Sequence, residues 1–189
     1  ASKRLWQPAH VPCPRFQIAQ TADQAAAFAD QLAAPCVIKP LSGAGSELTF
    51  RCDGAQQTRI RLAQVRLALD ERRELPMFNQ IPDGASAVLL EEWIDGTEYS
   101  CDFIVDHGRV TIVRMARKYV RQGTTFGITA AYELLAGAGP FAGDQLRRYL
   151  AAAAGALGIE RAFCMIDIID RDGVPVFLEM APRPGGDCL

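Results

Sequence analysis

At 189 residues, with 49% hydrophobic and 22% charged side chains, the chain can bury one sizeable core or two small ones, which excludes a disordered segment. A formal net charge of −2 gives no basic excess to drive nucleic-acid binding. The longest apolar run, Leu150 to Ile159, is far short of the roughly 20 residues that a membrane span requires. Six cysteines (Cys13, Cys36, Cys52, Cys101, Cys164 and Cys188) show no C-x-x-C pair and accompany only two histidines, His10 and His107, which argues against a zinc site and for buried thiols in a reducing compartment. With no apolar signal region after the charges of Ser2-Lys-Arg-Leu-Trp6, a cytoplasmic location is expected.

Residues 1–20 are punctuated by proline and are expected to be extended. Thr21-Ala-Asp-Gln24 is a capping-box pattern that opens an Ala-rich helix to about Ala34. A strand, Pro35 to Pro40, follows, then the small-residue loop Leu41-Ser-Gly-Ala-Gly-Ser46 and a strand near Leu48 to Cys52. Leu62, Val65 and Leu69 have helical spacing within Thr58–Arg73, whose arginines read as a solvated face. Pro82-Asp-Gly84 marks a break before the strand Ala87–Trp93, and Asp95-Gly96 a bend before Glu98–Val105. In that strand Tyr99, Cys101, Phe103 and Val105 alternate with Glu98, Ser100 and Asp102. A turn at Asp106-His-Gly108 returns the chain through Val110 to Met115, Gly123 to Gly127 interrupts a less regular stretch, and Leu146, Leu150, Ala154 and Leu157 mark a helix from about Asp144 to Gly158.

The chain closes on a hairpin, Phe163–Asp170 and Val174–Arg183. A three-residue loop, Arg171-Asp-Gly173, would set Asp170 opposite Val174 and gather Cys164, Ile166, Ile168, Val176, Leu178 and Met180 on one apolar face. Asp167, Phe177 and Glu179 would then share the other face, with Met165 opposite Glu179 and the two acids diagonal, about 7 to 8 Å apart. A two-residue Asp-Gly turn would put Glu179 on the face opposite Asp167, so the clean apolar face favours the longer loop. Two carboxylates on one wall suit Mg2+, which takes one or two protein carboxylates and completes its shell with water and phosphate; a solvent-facing hairpin with hydrated acids is the bland reading of the same pattern.

Four segments in order resemble the ATP-grasp enzymes over about residues 11 to 187. They are Pro35-Cys-Val-Ile-Lys-Pro40 with Gly43-Ala-Gly-Ser46, Leu90-Glu-Glu-Trp-Ile-Asp-Gly-Thr-Glu98, Arg117-Lys-Tyr119, and Asp167 with Glu179-Met-Ala-Pro-Arg-Pro-Gly-Gly186. The resemblance implies an α+β, ATP-grasp fold whose two lobes, residues 1–94 (with the preceding extended segment) and 95–189, have mainly antiparallel sheets and enclose a nucleotide cleft. It implies that Lys39, with Gly43, Gly45 and Ser46, binds phosphate; that Glu91, Glu92, Trp93 and Ile94 read adenine through the main chain; and that Glu98 accepts the ribose hydroxyls. Lys118 resembles a second phosphate lysine, although Arg114, Arg117 and Arg121 are cations nearby. Asp167 and Glu179 resemble ligands of Mg2+ (or Mn2+), and Arg183 the cation that meets an acyl phosphate. Ala181 stands where the family often has Asn, which bears on a second metal ion.

By resemblance, ATP would activate a small-molecule carboxylate as an acyl phosphate for attack by an amine, with no nucleic-acid or membrane partner and with a homodimer allowed. A non-catalytic nucleotide-binding module and a carboxylase or purine-pathway enzyme of the same fold are the alternatives. The resemblance also implies a substrate-binding domain ahead of this region and a truncated C-terminal lobe. Neither the carboxylate nor the amine is named by the residues Val120 to Ala131.

Overall fold

A computed structural model describes residues 2–43, 46–72, 74–76, 78, 87–121 and 129–185. The chain folds as two compact α+β units, one of Arg15–Trp93 and one of Ala1–Pro14, Ile94–Arg121 and Thr129–Leu189. No helix among the described residues is long and apolar enough to cross a membrane.

The first unit is a four-stranded antiparallel sheet of β1 (Phe16–Ala19), β2 (Cys36–Pro40), β3 (Phe50–Cys52) and β4 (Val88–Glu92), in the order β1-β4-β2-β3, packed with helices α2 (Ala22–Leu32) and α3 (Ala55–Glu71). The N-cap forms as the sequence pattern suggests, but the returning half of the box reaches one residue further back. Thr21 Oγ1 accepts from the Gln24 amide at 3.1 Å, and the Gln24 side chain accepts from the Gln20 amide at 2.7 Å. Phe28, Leu32, Ile38, Leu62, Val65 and Leu90 form the core. The arginines of α3 are not simply solvated. Arg59 pairs with Asp23 at 2.7 Å, Arg66 donates to the Gln20 carbonyl, and Arg61 lies 4.6 Å from the Phe50 ring centre, so long polar side chains tie α3 to its neighbours.

The second unit begins with a helix where the sequence suggested an extended segment. α1 (Ser2–Trp6) is only one turn long, and tertiary packing holds it. Trp6 is buried, its Nε1 donates to the Ala153 carbonyl at 3.1 Å, and its ring meets Phe177 edge-on. Five antiparallel strands follow in the order β7-β6-β5-β8-β9: β5 (Thr97–Asp106), β6 (Arg109–Val120), β7 (Thr129–Leu135), β8 (Arg161–Arg171) and β9 (Val174–Ala181), with helix α4 (Gly143–Ala156) on the apolar face. Tyr99, Cys101, Phe103 and Val105 enter that core with Leu146 and Leu150, as their alternation requires. Gly96 precedes β5 because a Cβ there would lie 2.1 Å from the Asp170 carbonyl oxygen. β7 escapes the sequence reading because, as an edge strand, it lacks clean alternation.

Cys36, Cys52, Cys101 and Cys164 are buried, Cys13 is half-buried, and burial pushes the Cys101 thiol up to about 12. Cys188 lies outside the described residues, as do the Pro82-Asp-Gly84 break, the Gly123–Gly127 interruption, Gly45 and Gly186.

Candidate active site

The hairpin brings the two acids together by a different register from the one expected. Arg171 pairs with Val174 across a two-residue turn in which Asp172 and Gly173 have φ of 53° and 84°. That pairing runs to Ile168 opposite Phe177, and then the register shifts so that Asp167 lies opposite Glu179. Leu178 is the extra residue of a β-bulge. The two-residue turn alone would have set Leu178 opposite Asp167, and the bulge restores Glu179 to that face. Several expectations are thereby corrected. The loop has two residues, the acids are directly opposite rather than diagonal, and Met165 faces Ala181 rather than Glu179. Phe177 joins the core opposite Ile168, and Val176 lies opposite Ile169 on the other face.

Asp167 also lies opposite Ser100 on β5, which places Glu98 one diagonal step away on the same face. A second bulge, in β6, completes the arrangement. From the His107-Gly108 turn the pairing runs to Phe103 opposite Ile112, then shifts so that Asp102 meets Arg114, with Val113 as the extra residue. Without that shift Arg114 would face the core. With it, Arg114 and Lys118 stand on the face that carries Glu98, Ser100, Asp102, Asp167 and Glu179.

Lys118 Nζ lies 2.6 Å from Glu98 Oε1 and 3.1 Å from Asp167 Oδ1, with only 10% of its side chain exposed. Burial opposes the ammonium charge, but Asp167 and Glu98 together outweigh it and hold the lysine above its usual range. For Asp167 the balance goes the other way. Burial raises its carboxyl above the usual aspartate range, Lys118 offsets this only in part, and Glu98 and Glu179 add to the rise.

Two carboxylates placed directly opposite repel each other, and a divalent cation would relieve that repulsion. Among the described residues no group of three or more His, Cys, Asp or Glu could form a metal cage. Hard oxygen donors in a pair fit Mg2+ that draws its other ligands from water and phosphate. Asp167 and Glu179 are the residues that could hold it.

Of the other basic residues near Lys118, Arg117 lies opposite Tyr99 and Glu133 and therefore points away from the acids. Arg183 is exposed and donates to the Pro184 carbonyl at 2.9 Å; none of its described contacts is with Asp167 or Glu179. Sequence reasoning missed Asp102 as anything more than a polar-face residue. It is 1% exposed, accepts from Arg114 Nε at 2.6 Å through one oxygen and from the Gly185 amide at 3.1 Å through the other. The available signal was a third consecutive polar position, after Glu98 and Ser100, on a strand with sheet on both sides.

The other unit carries its own cationic position. Lys39 and Glu91 sit diagonally on β2 and β4, and their side chains pair at 3.1 Å with Glu91 buried. Gly43 has φ of 142°, and a Cβ there would come within 3.1 Å of the Phe78 ring. Ser46 has φ of 58° and its carbonyl accepts from the Thr49 amide at 3.2 Å. Along the strand end, the Glu92 amide donates to the Arg15 carbonyl at 2.8 Å and the Trp93 amide to the Pro35 carbonyl at 3.0 Å. Glu92 pairs with Arg15, Arg51 lies 4.8 Å from the Trp93 ring centre, and Ile94 is buried.

With this geometry in hand, residues 32–189 match the ATP-grasp domain, and the chain belongs to that family. It is 28% identical to a D-alanine--D-alanine ligase of Ralstonia nicotianae over 98% of its own length and 53% of that protein's. Among solved structures it resembles the L-amino acid ligase of Bacillus licheniformis (TM-score 0.68, 22% identity, 98% of this chain and 40% of that one). It also resembles the biotin carboxylase domain of the Hydrogenobacter thermophilus 2-oxoglutarate carboxylase, solved with MgADP and bicarbonate (TM-score 0.76, 18% identity, 98% and 39%). The chain thus spans about half the length of the curated relative it matches.

Proposed function

We propose that the protein is an ATP-dependent ligase that joins a small carboxylate to an amine with release of ADP and phosphate. The observation that carries this reading is Asp167 directly opposite Glu179, on a face where Lys118 is already shared between Asp167 and Glu98. A carboxylate oxygen of the substrate attacks the γ-phosphorus of ATP, the bond to ADP breaks, and an acyl phosphate forms; the amine then displaces phosphate and loses a proton.

Asp167 and Glu179 would hold Mg2+, which would supply charge neutralisation at the nucleotide phosphates. The chain's own groups do the positioning. Lys118 exchanges its carboxylate partners for phosphate oxygens, a step that frees Glu98 to accept ribose hydroxyls. Lys39 offers a second compact cation to phosphate. The Glu92 and Trp93 amides are committed to the Arg15 and Pro35 carbonyls, so a main-chain donor to adenine falls to Ile94. Arg183 provides a guanidinium for the acyl phosphate. The work is positioning and electrostatic stabilisation, and it requires neither a histidine nor a thiol.

The test is ADP release by the full-length protein with MgATP and a panel of D- and L-amino acids, supplemented with bicarbonate. Release that requires both an amino-acid carboxylate and an amine supports the ligase. Release with bicarbonate alone replaces it with a carboxylase, and nucleotide binding without release under any condition replaces it with a non-catalytic module.

A further inference from the structure

We infer that Asp102 is the positioning residue for Arg183, an assignment that rests on the ligase reading above for its catalytic meaning. Its two oxygens have separate duties. Oδ2 accepts from Arg114 Nε at 2.6 Å, and Oδ1 accepts from the backbone amide of Gly185, two residues beyond Arg183, at 3.1 Å. The segment leaving β9 is therefore tied down onto the strand face that carries Asp167 and Glu179.

The tie is built on both sides. Asp102 lies on the central strand of the sheet, opposite Arg114 on β6 and Met165 on β8. Arg114 is itself held, with Nη2 3.4 Å from Ser100 Oγ and its guanidinium carbon 5.8 Å from the Tyr132 ring centre. At Gly185 an added Cβ would meet Arg114 Nη2 at 3.2 Å, Asp102 Oδ1 at 3.3 Å and Met165 Cγ at 3.4 Å. A side chain at this position would thus crowd the Asp102–Arg114 pair. Arg183 itself stays exposed, so its guanidinium is presented from an anchored main chain rather than from a packed side chain.

The chemistry requires a carboxylate. Arg114 and the Gly185 amide are both donors, and aspartate offers an acceptor to each. Asparagine has one oxygen and one NH2, so either Arg114 or the Gly185 amide would face a donor. A charge-assisted hydrogen bond of this kind is worth about a 10- to 100-fold equilibrium, enough to decide whether the 182–185 segment is docked or released.

The experiment uses the full-length protein and its Asp102→Asn and Gly185→Val variants; the second crowds the same contact without altering a charge. Hydrogen exchange at the Gly185 amide is measured beside steady-state ADP release with MgATP and the amino-acid panel. In Asp102→Asn the Gly185 amide should exchange at least about tenfold faster while the amides of β5 keep their protection. For ADP release, kcat should fall about 10- to 100-fold with the KM for ATP held within about twofold, since the loss lies in orientation and not in nucleotide binding. Gly185→Val should move both readouts in the same direction. Unchanged exchange at position 185 in both variants would overturn the inference. So would a kcat loss that arrives only with a matching rise in KM and a general loss of β5 protection, the pattern of a merely structural residue. Should the wild-type protein release no ADP, the ligase reading fails by that result, and the exchange measurement still decides whether Asp102 anchors the segment.

Discussion

The hairpins β5–β6 and β8–β9 both turn on two residues of left-handed φ, His107-Gly108 and Asp172-Gly173, and each carries one extra residue partway along. The first delivers cations to the shared face, Arg114 and Lys118; the second delivers the carboxylates Asp167 and Glu179. They differ in how the irregularity is supported. β6 pairs with β7 only from Met115 onward, so its bulge lies beyond that ladder and is held from the β5 side alone, with Val113 left 52% exposed. β9 is an edge strand. There the Leu178 carbonyl accepts from Lys3 Nζ, and the Phe177 amide donates to the Pro12 carbonyl at 2.8 Å. The first bulge is left open on its outer side, whereas the second recruits another segment to satisfy the groups the ladder no longer uses.

Breaking the anionic half should have the largest effect. Glu179→Ala, which removes an exposed side chain beyond the core, should lower ADP release by about 10³-fold or more with an unchanged circular dichroism spectrum; near-wild-type release would show that the pair does not serve the reaction. Breaking the cationic half acts on stability as well. Lys118→Met leaves Glu98 and Asp167 facing each other without their shared cation, and after allowance for partial exposure it should cost about 2 to 4 kcal/mol in urea denaturation, with Lys118→Arg recovering part of that loss.

The next effect is one of pH. Because the Asp167 carboxyl is raised in the folded protein, the native state keeps its proton to higher pH than the unfolded chain does. Between the ordinary aspartate value of about 3.9 and the raised one, Asp167 therefore lowers stability as pH rises. Metal binding needs the carboxylate, so Mg2+ affinity should fall as pH drops through that raised value, by up to about tenfold per pH unit. Titrating Mg2+ against a fluorescent ATP analogue across mildly acidic pH would reveal this limb, and Asp167→Asn should abolish it.

The smallest effect sharpens the account of the bulge. Deleting Leu178 converts β9 to a regular ladder in which Phe177 still meets Ile168 and the glutamate still meets Asp167. Mg2+-dependent ADP release should stay within about tenfold of wild type. A fall to the level of Glu179→Ala would mean that the extra residue does more than set register.

Much of this was legible in the sequence because local patterns and packing agreed. Thr21 and Gln24 cap their helix by adjacent chemistry, and the alternation of Tyr99, Cys101, Phe103 and Val105 fixes one face of β5 without reference to any other strand. The hairpin acids were found, but by an argument that assumed an unbroken strand after the turn. Asp-Gly is compatible with either loop length, and the choice fell to whichever register kept the apolar residues together. The fold meets that demand by another route, with a tight turn, Phe177 inside and one residue set aside. α1 was invisible because five residues cannot hold a helix by themselves, and only the burial of Trp6 in a distant core does so. The Asp102 tie was equally hidden, since it joins residues 83 apart in sequence.

The indole of Trp6, seated between Phe177 and the Ala153 carbonyl, sets a practical limit on dissecting this molecule. A fragment begun at Arg15, where the neighbouring unit starts, would strip the Glu179 strand of its outer brace and open an aromatic-sized hole beneath it. Residues 2–14 therefore travel with the acid-bearing sheet, and an excised version of that sheet needs them reattached by a linker or supplied as a separate peptide.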